Sequence, residues 1–323
     1  MNGARVLQKL LLSAVLTIPA LIGAQSYPAK PVRVVVPFPP GATGDIVTRH
    51  FTPKLAEALE QQFIVENRAG AAGNIGAESV AHAPADGYTL LTATGSNASN
   101  QSLYKNLSFD IGRDFEPIAM LASVPFLLVV YSSLEAKNVA ELIQLAKARP
   151  GRLNFASTGI GGTNHLTGEL FKSMAGINIV HVAYKGTPNV LPDLIAGRVQ
   201  MIFASIVVML PHVKAGRLRA LAVTSAKRSV LAPELPTINE SGLAGFESGT
   251  WYALLAPAGT PRDIVARLNA AIIRIGQAPE IRERLVAEGA EPLGGTPEQT
   301  GAFVKSEIVK WSKIIAGSGA RAE

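Results

Sequence analysis

The chain of 323 residues contains no cysteine. That excludes a disulfide scaffold, cysteine-ligated zinc, iron–sulfur clusters, thiol catalysis and the lipid-anchored cysteine of a bacterial lipoprotein. Charged residues are sparse, at 17%, and the formal net charge is only +6. No run of five or more basic residues exists, so the excess gives no footprint for nucleic acid. Beyond the first segment no apolar stretch is long enough to span a bilayer: Val124 to Tyr131 and Met201 to Leu210 are both short. What is present is 48% hydrophobic residues, 30 Gly and 21 Pro. This suits a globular chain of two ordinary domains and excludes a disordered, collagenous or coiled-coil one.

Met1 to Ala24 reads as a secretory signal. Arg5 and Lys9 supply the positive start, Leu10 to Ile22 the apolar core, and Gly23 and Ala24 the small residues before a cut ahead of Gln25. The expected mature protein is exported. Freedom from cysteine suits an oxidising compartment.

The rest alternates strand and helix. Val32 to Phe38 is a β-branched apolar run of the kind that forms a buried parallel strand. Asp45 to Gln62 carries apolar residues at helical spacing. Phe63 to Glu66, Ile75 to Ala83 and Tyr88 to Thr94 continue as strand, helix and strand. A second series runs from Phe126 to Thr224, with strands at Phe126–Tyr131, Leu153–Ser157, Ile179–Val182, Val199–Phe203 and Leu218–Thr224. Trp251 to Ala256 is a further strand, followed by helices at Arg262–Gly276, Pro279–Glu288 and Pro297–Ala316. This rhythm predicts doubly wound α/β sheets in two lobes. The chain would cross between lobes near Val124–Phe126 and return near Gly249–Trp251.

Glycine-rich turns after strands carry the candidate chemistry. The first is Phe38-Pro39-Pro40-Gly41-Ala42-Thr43-Gly44-Asp45, which opens a helix. Unpaired N–H groups at a helix start attract anions. Thr43 adds a hydroxyl, and Asp45 is expected to charge or cap the helix start rather than touch an anion. The second is Ser157 to His165, with Gly159, Gly161 and Gly162 for close backbone approach and Thr158, Thr163 and Asn164 as short polar partners. The third is Tyr184-Lys185-Gly186-Thr187-Pro188; a fourth candidate is Gly95-Ser96-Asn97. Turns of this kind split between two lobes describe a ligand cleft.

Enzyme and cofactor signatures are missing. There is no GxGxxG, GxxxxGK[ST], GxSxG or HExxH pattern. The five histidines, at 50, 82, 165, 181 and 212, share no ligand spacing, so neither a metal nor a cofactor is expected. His165 reads as a hydrogen-bonded structural histidine near a helix start, since nothing fixes a nucleophile beside it.

Several of these segments together resemble one family. They are Tyr27 to Asp45, Val65 to Gly76 (VENRAGAAGNIG), Ala83 to Leu91 (APADGYTLL), Ser157 to Leu166, His181 to Pro188, Leu218 to Thr224 and Ala256 to Pro261. In order and over essentially the whole mature chain, they are similar to the Bug, or TctC-like, solute-binding proteins of tripartite tricarboxylate transporters. The resemblance implies a periplasmic-binding-protein (Venus-flytrap) fold. Domain 1 would be residues 25–125 with 252–323, and domain 2 residues 126–251. It also implies a small mono- or dicarboxylate ligand held by loop N–H groups and hydroxyls, membrane transporter subunits as partners, a periplasmic location and a monomer. The site expected on this chain draws on Phe38, Gly41, Ala42, Thr43, Ser96 and Asn97 from one lobe. From the other come Ser157, Thr158, Gly159, Gly161, Gly162, Thr163, Asn164 and His165, the turn Tyr184, Lys185 and Gly186, and Ala204 with Ser205.

Two departures bear on the ligand. Ala42 stands where the family carries a second glycine, which would be costly if that position needed a positive φ. Ala204-Ser205 stand where the family commonly shows an acidic residue, which disfavours amino-acid ligands and favours a more apolar or aromatic carboxylate. Competing readings are a ligand sensor signalling to a membrane kinase and a secreted hydrolase using His165. Mass spectrometry of the exported protein is expected to give a mature chain starting at or near Gln25. A mature form still beginning at Met1 would contradict the signal assignment.

Overall fold

The computed structural model describes residues 27–184 and 187–318. The expected signal peptide, and with it the cleavage site, lies outside the described residues, as do Lys185 and Gly186.

Strand β1 (Val32–Val36) lies between β2 (Phe63–Asn67) and β3 (Thr89–Thr94), parallel to both. Helices α1 (Thr43–Leu59) and α2 (Asn74–Ala81) make the crossovers. A second parallel trio sets β5 (Asn154–Ser157) between β6 (Val180–Ala183) and β7 (Met201–Ser205), with crossovers α5 (Thr163–Ala175) and α6 (Thr187–Ile195). These βαβ units follow directly from the β-branched runs and helical spacing of the sequence.

The two trios are joined by antiparallel strands. The 17-residue β4 (Phe115–Tyr131) changes partners along its length. Its first part, to Pro125, pairs antiparallel with β9 (Gly249–Pro257), and β9 in turn with β3. Its second part, from Phe126, pairs with β7 and β8 (Leu218–Val223). Short β10 (Glu291–Gly294) also lies against β4. The sheet order is thus β2-β1-β3-β9-β4-β7-β5-β6. Partners change between Pro125 and Phe126, where Val124 and Pro125 face Thr250 and Gly249. The residues at which the sequence reading expects the chain to pass between lobes lie at this change of partners.

The structure departs from the sequence reading in three places. Gly95–Leu103 forms a helix, α3, not merely a turn; its polar, glycine-led sequence has weak helical propensity, and a capping box between Thr94 and Asn97 starts it. Ile206–Lys214 forms α7 out of the apolar run after β7, burying Ile206 and Met209. Strand β4 begins at Phe115, well before Phe126, because pairing with β9 accommodates Pro117 through an irregularity in register. The remaining helices are α4 (Val139–Ala148), α8 (Arg262–Gln277), α9 (Pro279–Ala287) and α10 (Pro297–Ser318).

Apolar side chains fill the layers on both sheet faces. Val34, Phe51, Leu90 and Leu268 lie in one cluster; Phe155, Phe171, Phe203 and Phe246 lie in a larger one. Helix α5 sits close on β5 because Gly168 faces Phe155; a methyl there would sink into the ring. Replacing Gly168 with Ala gains about 1 kcal/mol of helix propensity. The overlap with a fully buried ring costs about 1–3 kcal/mol or more. Overpacking therefore wins, and Gly168→Ala is expected to lower the melting temperature. A variant as stable as the parent would refute this packing.

Candidate functional site

The strands of each trio are parallel within it, so their C-terminal ends gather on one side. Between the two trios lies a cleft of about 320 Å³. Phe38, Ala42, Thr43 and Gly44 line it from the β1–α1 loop, and Thr94 and Ser96 from the start of α3. Thr158, Thr163 and Asn164 come from the β5–α5 loop, Ala204 and Ser205 from the end of β7. Phe126, Thr250 and Tyr252 form the floor where β4 and β9 change partners.

Four helices begin at this cleft: α1 after Ala42, α3 after Thr94, α5 after Gly162 and α7 after Ser205. The first-turn N–H groups of a helix have no partner within it and carry positive partial charge. On α1, α5 and α7 the N-cap residue supplies no side-chain bond to them, although on α5 Asn164 Oδ1 accepts the His165 N–H. Ser205 is the informative case. Serine at this position ordinarily bonds the helix's own N–H groups; here its hydroxyl makes no such bond and lines the cleft instead.

The β1–α1 loop is held from behind. The Asp45 carboxylate accepts bonds from Gly41 N–H, Arg49 Nε and Asn67 Nδ2, each 2.9 Å, and Asn67 Nδ2 also donates to the Phe38 carbonyl. Burial alone would raise the Asp45 pKa, but the bonds from Arg49, Gly41 and Asn67 outweigh it and hold it below the usual range. Asp45 thus stands in the first turn of α1 and shapes the loop before it. Gly41 takes the left-handed turn at φ 80°, whereas Ala42 is extended at φ −68°. The alanine is therefore unstrained, and the expected backbone cost does not arise.

The β5–α5 loop is held by two histidines. His165 Nδ1 accepts Gly161 N–H at 3.0 Å, and His181 Nε2 lies 2.6 Å from Ser157 Oγ. The two rings stack with centroids 3.8 Å apart. Burial pushes both down to about 4, with positive Lys172 adding to the effect, so both rings are neutral at pH 7. Asn164 Oδ1 accepts from Thr158 Oγ1 and from His165 N–H, which leaves its NH2 as the group it can offer a ligand. On the floor, burial pushes the Tyr252 phenol up to about 12, and its hydroxyl bonds the side chains of Thr250 and Thr43. Among the described residues that line it, none is Asp, Glu, Lys, Arg or His.

Of the residues expected from sequence, the cleft brings together Phe38, Ala42, Thr43, Ser96, Thr158, Thr163, Asn164, Ala204 and Ser205. Gly41, Asn97, Ser157, Gly159, Gly161, Gly162 and His165 are not in its lining. Asn97 is buried and closes the capping box; Ser157 is buried against His181. Tyr184 donates its hydroxyl hydrogen to Asp193 and is likewise outside the lining. Sequence reading missed Gly44, Thr94, Phe126, Thr250 and Tyr252. The last three sit at the crossings the sequence did mark, but nothing in a single sequence shows which face of a strand meets a cleft. Among the described residues no group of three or more His, Asp or Glu could hold a metal ion.

The stacked histidines set a pH response. Between their ordinary pKa near 6.5 and the folded value of about 4, the unfolded chain binds protons that the folded chain refuses. Stability is therefore lost as pH falls through that window and is retained above it. The melting temperature should drop between pH 7 and pH 5, and by less in a His165→Gln/His181→Gln variant. An equal drop in both would contradict it.

A family model described as tripartite tricarboxylate transporter family receptor matches residues 47–319. Protein BugT of Bordetella pertussis is 37% identical to this chain, over 99% of both sequences. Two solved structures share the architecture. R. palustris Rpa4515 with adipate is 40% identical, with a TM-score of 0.76 over 91% of this chain and 99% of its own. MatC from Rhodopseudomonas palustris with bound malate is 33% identical, with a TM-score of 0.71 over 90% of this chain and 100% of its own. The fold, the motifs and these matches agree: the chain belongs to the tripartite tricarboxylate transporter receptor family of solute-binding proteins, the Bug or TctC family.

Proposed function

We propose that this protein is a periplasmic solute receptor. It captures a small carboxylate in the cleft and delivers it to the membrane subunits of a tripartite tricarboxylate-type transporter. The cleft would lie between lobes formed by residues 25–125 with 252–323 and by 126–251. The observation that carries the reading is the convergence of four helix N-termini on a cleft lined by hydroxyl-bearing residues, with no ionised side chain among its described lining residues. Such a surface complements an anion through neutral dipoles.

The same surface argues about ligand class. No carboxylate is present to pair with an ammonium group, so amino acids are disfavoured. Phe38, Phe126 and Tyr252 offer apolar faces to a carbon chain. An aliphatic or aromatic carboxylate without an amino group fits best, and adipate in the 40%-identical neighbour is of this class. Export is supported by the signal segment and by the absence, among the described residues, of a helix long and apolar enough to cross a membrane.

Native mass spectrometry of protein purified without denaturation, followed by calorimetry with adipate, malate and glutamate, tests the reading. Adipate or a similar carboxylate should bind and glutamate should not. Thr163→Ala should weaken binding by about 1.5–3 kcal/mol, roughly ten- to a hundred-fold, because one hydrogen bond to a charged group is lost. Its melting temperature should change little, since Thr163 supplies no side-chain cap to α5. An unchanged Kd would remove Thr163 from the site; failure of every carboxylate to bind would overturn the function.

A further inference from the structure

Behind the cleft a buried carboxylate holds both tryptophans of the chain. Glu307, on α10, is 5% exposed. Its Oε2 accepts the indole N–H of Trp251 and of Trp311, each at 3.0 Å, and its Oε1 pairs with Lys310. Lys310 also reaches the carbonyl of Glu247 just before β9. The Trp251 ring lies edge to face with Phe303 of the same helix. Helix α10 thus grips β9 at the point where the sheet changes partners.

The grip faces the site. Successive side chains on a strand point to opposite faces. Thr250 and Tyr252 line the cleft, and Trp251 between them points back to α10. Fixing the indole therefore fixes which way its two neighbours present their hydroxyls. The indole also backs the first turn of α3. A methyl added at Gly95 would lie 3.5 Å from Trp251 Nε1 and 3.9 Å from Thr163 Oγ1. The indole, the α3 N-terminus and the α5 N-terminus therefore meet at one point, in van der Waals reach of that added methyl.

We infer that Glu307 is a positioning residue for ligand capture. By accepting the Trp251 indole N–H it sets the floor residues Thr250 and Tyr252 and the approach of α3 to α5. The inference rests on the cleft being the carboxylate site, yet the geometry it concerns exists without ligand. Glu307 touches no ligand itself, being absent from the cleft lining.

Three variants and two measurements test it. Calorimetry with adipate reads capture. Hydrogen exchange of the ligand-free protein, read by mass spectrometry, reads the local order of residues 249–252 and 95–97. Glu307→Ala should weaken adipate binding about tenfold or more and speed exchange in both segments. Glu307→Gln should return affinity to within about threefold of the parent, because its amide oxygen still accepts both indole N–H groups. Trp251→Phe removes the donor and leaves Glu307 on Trp311 and Lys310. It should lose affinity as Glu307→Ala does, and it stands in for that variant if the alanine protein does not fold. If Glu307→Ala, or Trp251→Phe in its place, binds adipate as tightly as the parent, the inference fails. Unchanged exchange at 249–252 also overturns it. A parent protein that binds no adipate contradicts the proposed ligand class instead, and hydrogen exchange then decides the role of Glu307 alone.

Discussion

An anion buried without a cation must be met by donors that are already fixed in place. On the proposed reading, supplying them is what the cleft is built to do. Four helices end their first turns at one cleft, and three of those ends lack a side-chain cap. The first-turn N–H groups would otherwise have to find water or a capping side chain. Leaving them open weakens each helix slightly and concentrates positive partial charge where, among the described lining residues, no lysine or arginine stands. Asp45 turns back to Gly41 and Arg49, Asn164 takes Thr158 and one N–H of the α5 first turn, that of His165, and Ser205 leaves its helix uncapped.

Such a site works only if its halves are held at a fixed spacing, and that is the task of the antiparallel insertion. One strand, β4, pairs with β7 of the second trio and with β9, which in turn pairs with β3 of the first, so these two antiparallel strands bridge the trios across the exchange point. At the crossing, the Phe126 N–H bonds Thr224 Oγ1 and the Thr224 N–H bonds the Phe126 carbonyl, so the floor residue Phe126 is held from the end of β8. Thr167 and Ser248 share a buried hydroxyl contact of 2.6 Å that ties α5 to the returning segment. The proposed lobes therefore meet in a short waist. A ligand that touches both sides would bind the closed arrangement better and draw the population toward it.

Much of this was legible in the sequence, and the reasons for the rest are physical. The β-branched run Val32–Val36 and the turn that follows it predict a strand feeding a helix start, and that is what forms. The parallel trios follow from the same rhythm. Helix α3 was read only as a turn because Gly95-Ser96-Asn97 is poor helix sequence; its capping box and its burial against β9 and α10 override propensity. Phe126, Thr250 and Tyr252 escaped because strand pairing, not local pattern, decides which residues floor the cleft. The expected strain at Ala42 did not arise because Gly41 alone takes the left-handed conformation. His165 was read as structural, and its bond to Gly161 N–H and its stack on His181 give it that role. Ser157, in the same loop, is fully buried and bound to His181.

The central claim is that neutral donors in a desolvated cleft hold the carboxylate. Salt reaches such contacts far less than it reaches exposed ion pairs. The direct test is the adipate Kd by calorimetry at about 20 mM and about 500 mM sodium chloride, where the screening length shrinks several-fold. The account predicts a change of less than about threefold between the two. A loss of about a hundredfold or more would place the anion on exposed lysine or arginine side chains and contradict it.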